Sequence, residues 1–167
     1  MSRLRYLYDH FEEIFSSFFL VIMIGSLAFQ VIVRATLGSA VSWAEELSRY
    51  TFVWAVYIGA SLAAKKGAHV CITAQLLLVP PKVRLAFRIL ADFIWVGFNL
   101  FFVIHGMTMV AEAFEFPEMS PTLGIAKAWV ELIIPVAFIL MSWRTVELYI
   151  KNRGHLLDLV KNVEEPI

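Results

Sequence analysis

Cysteine is nearly absent from this 167-residue chain, with Cys71 the one thiol. An intrachain disulfide, an all-cysteine zinc site and a two-thiol relay are therefore excluded, and Cys71 reads as a small apolar residue. Charge is scarce as well. Asp, Glu, Lys and Arg make up 17% of the residues, where soluble domains carry about 25%, and the formal net charge is zero. The basic side chains are scattered without a concentrated patch, so no partnership with nucleic acid is expected. Polar stretches long enough for a separate soluble domain are missing too. What fills the chain is apolar: 60% of residues are hydrophobic and the mean hydropathy is +0.74, which points to a membrane.

The first apolar run follows residues 1–13, which hold Arg3, Arg5, Asp9, Glu12 and Glu13 and lack a small-residue cleavage pattern. A retained transmembrane helix is expected there, not a cleaved leader. Residues 14–33 form a charge-free stretch of 20, matching the roughly 20 residues a helix needs to cross about 30 Å of hydrocarbon. The second run, 43–64, carries Glu45, Glu46 and Arg49 in its first two turns. Those charges must sit at the interface or be paired against protein. Between Lys65 and Arg84 the apolar piece 70–79 is too short to span and is bounded by Lys66, Gly67, His69, Pro80, Pro81 and Lys82, so a short interfacial helix is expected. Residues 93–111 contain no Asp, Glu, Lys or Arg and are followed by Glu112, Glu115, Pro117, Glu118 and Pro121, an acidic, proline-broken loop. The last run is interrupted by Glu131 and Pro135, and a proline inside a membrane helix commonly kinks it.

The expected fold is thus an all-α membrane protein forming one domain over 1–167. It has four transmembrane helices at about 14–35, 43–64, 88–111 and 127–146, plus the interfacial helix. Lys and Arg set the orientation, because basic loops stay in the cytoplasm. Eleven of them fall on the side of the two termini and the second loop, against Arg34, Arg49 and Lys127 on the other. Both termini are therefore expected inside, with Trp43 and Trp129 marking the outer interface and Trp143 the inner one.

The most informative segment runs from Trp43 to Tyr50. Glu45 and Glu46 stand four and three residues before Arg49, so all three can share a helix face, acid before base. One carboxylate is left over and needs a partner, either Arg34 or a residue of another protein. The segment reads as a docking or ion-pathway element, or else as an interfacial helix start whose charges reach headgroups and water. Ala55, Gly59 and Ala63 recur every four residues, a flat face that lets another helix approach closely, whether from this chain or another. Trp43, Glu45, Glu46, Arg49, Tyr50, Ala55, Gly59 and Ala63 are accordingly the candidate subunit-interface residues. Lys65, Lys66, Lys82 and Arg84 are candidate contacts for lipid headgroups. His105 lies inside the third span without a second imidazole at similar depth, and Gln30 and Asn99 read as interhelical hydrogen-bond partners. No metal site and no cofactor are expected.

The stretch WAEELSRYTFVWAVYIGASLAAKKGAHV, residues 43–70, resembles the signature of the small, DctQ-like membrane subunit of tripartite ATP-independent periplasmic (TRAP) transporters. Its tryptophan, two glutamates, aromatic-rich span with a late glycine, and basic residues with a histidine recur together in that family. The resemblance implies a secondary-active system in the bacterial inner membrane. A periplasmic binding protein would deliver an organic acid (a dicarboxylate, a sialic acid or a similar solute), and a large membrane subunit would carry it inward by a sodium-coupled elevator motion. This chain would be the third part, in stable heterodimer with the large subunit, transiently met by the binding protein, and not an enzyme. Trp43, Glu45 and Glu46 align with the family motif and would brace the outer contact. A self-sufficient homodimeric exporter is the alternative, but it needs a carboxylate at mid-depth, and Glu45, Glu46 and Glu131 all sit near the outer face. A thiol oxidase or haem carrier lacks the cysteines and histidines it would require.

Overall fold

Lipid offers no hydrogen bonds to a backbone, so long apolar runs survive in it only as helices or closed barrels, and helices are what form here. The computed structural model describes residues 3–66 and 80–153. Its helices are α1 Arg3–Leu37, α2 Ser42–Lys65, α3 Pro81–Glu115, α4 Ala128–Glu131 and α5 Ile133–Lys151. Among the described residues no strand accompanies them beyond an isolated bridge between Met119 and Ala126. The expected interfacial helix at 70–79, His69, Cys71, and the tail bearing His155 and Lys161 lie outside the described residues.

Among the described residues, three stretches are long and apolar enough to cross a bilayer: Tyr8–Leu37, Pro81–Glu115 and Ala128–Lys151. They cover the first, third and fourth expected spans. α2 has the length, 24 residues, or about 36 Å at 1.5 Å per residue. It is less apolar because Glu45, Glu46, Arg49 and Lys65 lie on it. Its surroundings explain how it tolerates them. α2 stands between α1 and α5, so Glu46, Ser48, Thr51 and Ser61 are covered by protein and need not face lipid.

The helices form a single row in the order α1, α2, α5, α3, since α1 packs on α2, α2 on α5 and α5 on α3. Small residues set the closest approaches. The Ser16 hydroxyl donates to the Ala55 carbonyl at 3.2 Å, and a Cβ on Gly59 would stand 3.4 Å from Ser16 Oγ, so the Ala55–Gly59 face lies against α1 of the same chain. Further along α2, Ala64 joins Ala137 and Met141 in a buried cluster reached by Tyr57, Trp95 and Phe138.

The last span is broken, as Pro135 leads one to expect. α4 ends at Glu131, α5 begins at Ile133, and the Val136 amide reaches the Leu132 carbonyl only at 3.4 Å. Proline has no N–H to donate to the carbonyl four residues back, which opens the turn. Gly106 of α3 faces that turn; a Cβ there would stand 3.4 Å from Pro135 Cβ, so only a small residue fits against it.

At the basal end, where α1 starts and α5 finishes, charges that the sequence scatters over three segments come together. Glu12 is fully buried and accepts from Arg144 Nε, with Lys65 Nζ at 3.5 Å. Arg144 also reaches Glu147 at 2.5 Å and the Tyr8 carbonyl at 3.0 Å, and its guanidinium carbon lies 4.4 Å from the centre of the Tyr8 ring. Lys65 donates to the Asp9 carbonyl, and Lys151 joins Glu147 at 2.8 Å. α3 is attached separately, through the Tyr149 hydroxyl on Asp92.

Candidate functional site

The apical end, where α2 and α4 begin, gathers the polar residues singled out in the sequence. The loop between α3 and α4 folds back on itself. The Ser120 amide donates to Ile125 O at 2.8 Å and the Lys127 amide to Glu118 O at 3.0 Å, while Gly124 turns the chain at φ +66°, a region open to glycine at little cost. Lys127 Nζ holds Glu118 at 2.9 Å, and that hydrogen bond keeps the Glu118 carboxyl below its ordinary range. The folded loop sets Thr122 over the first turns of α2.

There the two adjacent glutamates take different roles. Glu46 is 6% exposed and accepts from the Tyr50 hydroxyl at 2.7 Å, from the Thr122 amide at 3.1 Å and from the Thr122 hydroxyl. Glu45 stays outside, its contact with Arg49 stretched to 3.5 Å and both side chains more than half exposed, so the pair adds little. The leftover carboxylate is therefore Glu46, and its partners are Thr122 and Tyr50, not Arg34. Sequence reasoning missed Thr122, for no local pattern links positions 46 and 122; only folding of the loop joins them.

Between the loop and α2 lies a cavity of about 360 Å³ lined by Ser42, Glu45, Glu46, Arg49, Tyr50, Thr122, Lys127, Val130 and Glu131. It mixes carboxylates with cations and opens outward, which suits recognition of a charged protein surface. Among the described residues no group of three or more His, Cys, Asp or Glu could hold a metal ion.

The other expected site residues are dispersed. Trp43 is 44% exposed and packs on Phe29 of α1, centroids 5.6 Å apart. Trp129 meets Phe114 edge-on at 5.3 Å. Ala55 and Gly59 face α1, as described, and Ala63 is half-buried on the same helix. Of the basic set, Lys65 is tied to Glu12 and Arg84 is 6% exposed, so neither is displayed to headgroups. Lys66 and Lys82 are exposed, although Lys66 also reaches Glu13 at 3.3 Å. Asn99 was expected to bond between helices; it is fully buried with neither amide atom partnered.

Long apolar helices in a row, with charge confined to the two ends and a mixed-charge cavity at one of them, define a multi-helix integral membrane protein. Residues 23–153 match the family of tripartite ATP-independent periplasmic transporters, DctQ component, and the chain belongs to that family. It is a small permease subunit by kind, and that family is not one of enzymes. One relative is the sialic acid TRAP transporter small permease protein SiaQ of Vibrio cholerae, 29% identical over 147 residues, covering 88% of this chain and 84% of SiaQ. The C4-dicarboxylate TRAP transporter small permease protein DctQ of the same organism is 26% identical, over 62% of this chain and 44% of its own length. The sialic acid TRAP transporter permease protein SiaT of Haemophilus influenzae is 28% identical over 81% of this chain, yet that match takes up only 22% of SiaT.

Proposed function

We propose that this chain spans the inner membrane four times with both termini in the cytoplasm. It serves as the bracing subunit of a TRAP transporter, in stable complex with a large membrane subunit that moves an organic acid inward with sodium by an elevator motion. The observation that carries this reading is the match to SiaT, in which a segment like this chain is a minor part of one long permease. A chain that other bacteria carry fused to a larger permease is, when separate, best understood as that permease's companion. The solute is a carboxylated one, with a sialic acid favoured by the names of SiaQ and SiaT.

The apical cavity is where a periplasmic binding protein would touch this subunit. Glu45, Arg49 and Glu131 offer charges at its mouth, with Trp43 and Tyr50 beside them, while Glu46 is occupied in holding the loop. Lys66 and Lys82 would meet headgroups at the basal end.

Reconstitution tests the proposal. Liposomes holding this chain together with its large subunit should accumulate the solute when the binding protein and a sodium gradient are supplied, and liposomes holding this chain alone should not. Flux through this chain by itself would favour a homodimeric exporter instead.

A further inference from the structure

Among the described residues, two helices of the row leave a broad face uncovered, and the two faces differ chemically. The outward residues of α1 include Phe18, Val21, Ile24, Val31 and Ile32, each more than half exposed, and suit lipid. α3 presents something else. Its buried side, Asn99, Gly106 and Val110, turns toward α5, and on the far side lie Gly97, Phe101, Ile104 and Thr108, with His105 at their flank, all exposed.

His105 is the telling residue. It lies seven residues from the middle of a 35-residue helix, about 10 Å along the axis, which is inside the ~15 Å half-thickness of the hydrocarbon. Its Nδ1 is 2.9 Å from the Phe101 carbonyl. A carbonyl only accepts, so Nδ1 carries the proton and Nε2 of the neutral ring is an acceptor. Among the described residues none donates to it. An acceptor left bare in hydrocarbon is costly, so this face suits a protein that brings an N–H or O–H. Gly97 adds a flat spot one turn from Phe101, with open space where a Cβ would be, and flat spots are where membrane helices approach closely.

We propose that the Gly97–Phe101–His105–Thr108 face of α3 is the seat of the large membrane subunit, with His105 Nε2 accepting a hydrogen bond from it. This rests on the reading of the chain as a small permease subunit. The committed partner is the large subunit because SiaT carries a DctQ-like segment covalently joined to a far longer permease. A second copy of this chain and bulk lipid are the competing occupants.

The test uses the full chain, tagged and co-expressed with its large subunit. Phe101 is replaced by a photo-crosslinking phenylalanine analogue, and the adduct is identified by mass spectrometry. An adduct with the large subunit supports the proposal; adducts with lipid alone, or with a second copy, overturn it. Gly97→Phe should cut co-purification of the large subunit by about tenfold or more. Gly25→Phe, on the α1 face where a Cβ would also meet open space, should leave it unchanged. The reverse pattern, or no effect of Gly97→Phe, refutes this face while the subunit reading stands. His105→Leu should reduce recovery roughly three- to tenfold, and His105→Gln, which keeps an acceptor, should restore most of it; equal loss in both denies the hydrogen bond. If the unaltered chain recovers no large subunit at all, the subunit reading fails and takes this inference with it.

Discussion

At the scale of single residues, adjacent glutamates with the same chemistry have opposite duties. Glu46 satisfies two loop groups and a tyrosine hydroxyl, so Glu46→Ala should leave them unpaired and destabilise the apical end by about 1–3 kcal/mol. Thermal unfolding in detergent would register it. Glu45→Ala removes an exposed, stretched ion pair and should change stability by less than about 0.5 kcal/mol. Any effect it has should appear in binding-protein affinity. Equal melting losses from both substitutions would refute this division. The sequence marked both glutamates, because three charges in five residues before a short apolar run cannot be indifferent to a membrane. It was silent on which one is buried, since that depends on Thr122, 76 positions away. The Glu12–Arg144 pair was hidden for the same reason, although both residues fall on the side of the termini, and that shared side was a usable hint.

At the scale of elements, the positions of the long helices were legible because lipid imposes one rule everywhere: a span must be long, apolar and helical. The helices overrun the expected spans, as α3 does by beginning at Pro81, because hydropathy marks the hydrocarbon and not the turns that project beyond it. The break in the last span was legible from Pro135; its contact with Gly106 was not, as glycine has no side chain to signal what it admits. Gly106→Leu should force α3 away from the broken turn and cost about 1–3 kcal/mol, whereas Gly106→Ala, at ordinary contact distance, should cost far less. Asn99 gives the opposite expectation. Both its amide atoms are buried without partners, so Asn99→Leu, similar in volume, should leave the melting temperature unchanged or raise it. A marked drop would refute this and mean that the amide is bonded inside the bundle.

At the scale of the whole molecule, a row one helix thick has little interior, and its cohesion depends on local fastenings. The basal ion-pair cluster is one of them, joining α1, α2 and α5. Arg144→Met should leave the buried Glu12 carboxylate with Lys65 alone, at 3.5 Å, and cost up to about 3–5 kcal/mol. Glu12→Leu combined with Arg144→Met should recover much of that loss, because the uncompensated charge is gone. Unfolding of the two variants side by side would decide it; a double variant weaker than the single would mean that the pair binds the helices by more than charge balance.

Because α5 stands between α2 and α3, the spatial order departs from the order of synthesis. A ribosome releases α3 well before the helix that anchors it exists, so the half-made protein must park α3 loosely in the bilayer. Its neighbour in the row, α5, is the last of the described helices to be made. Termination between residues 116 and 132 would thus remove α5 and leave α3 without its partner, and cellular quality control should treat such fragments as unassembled.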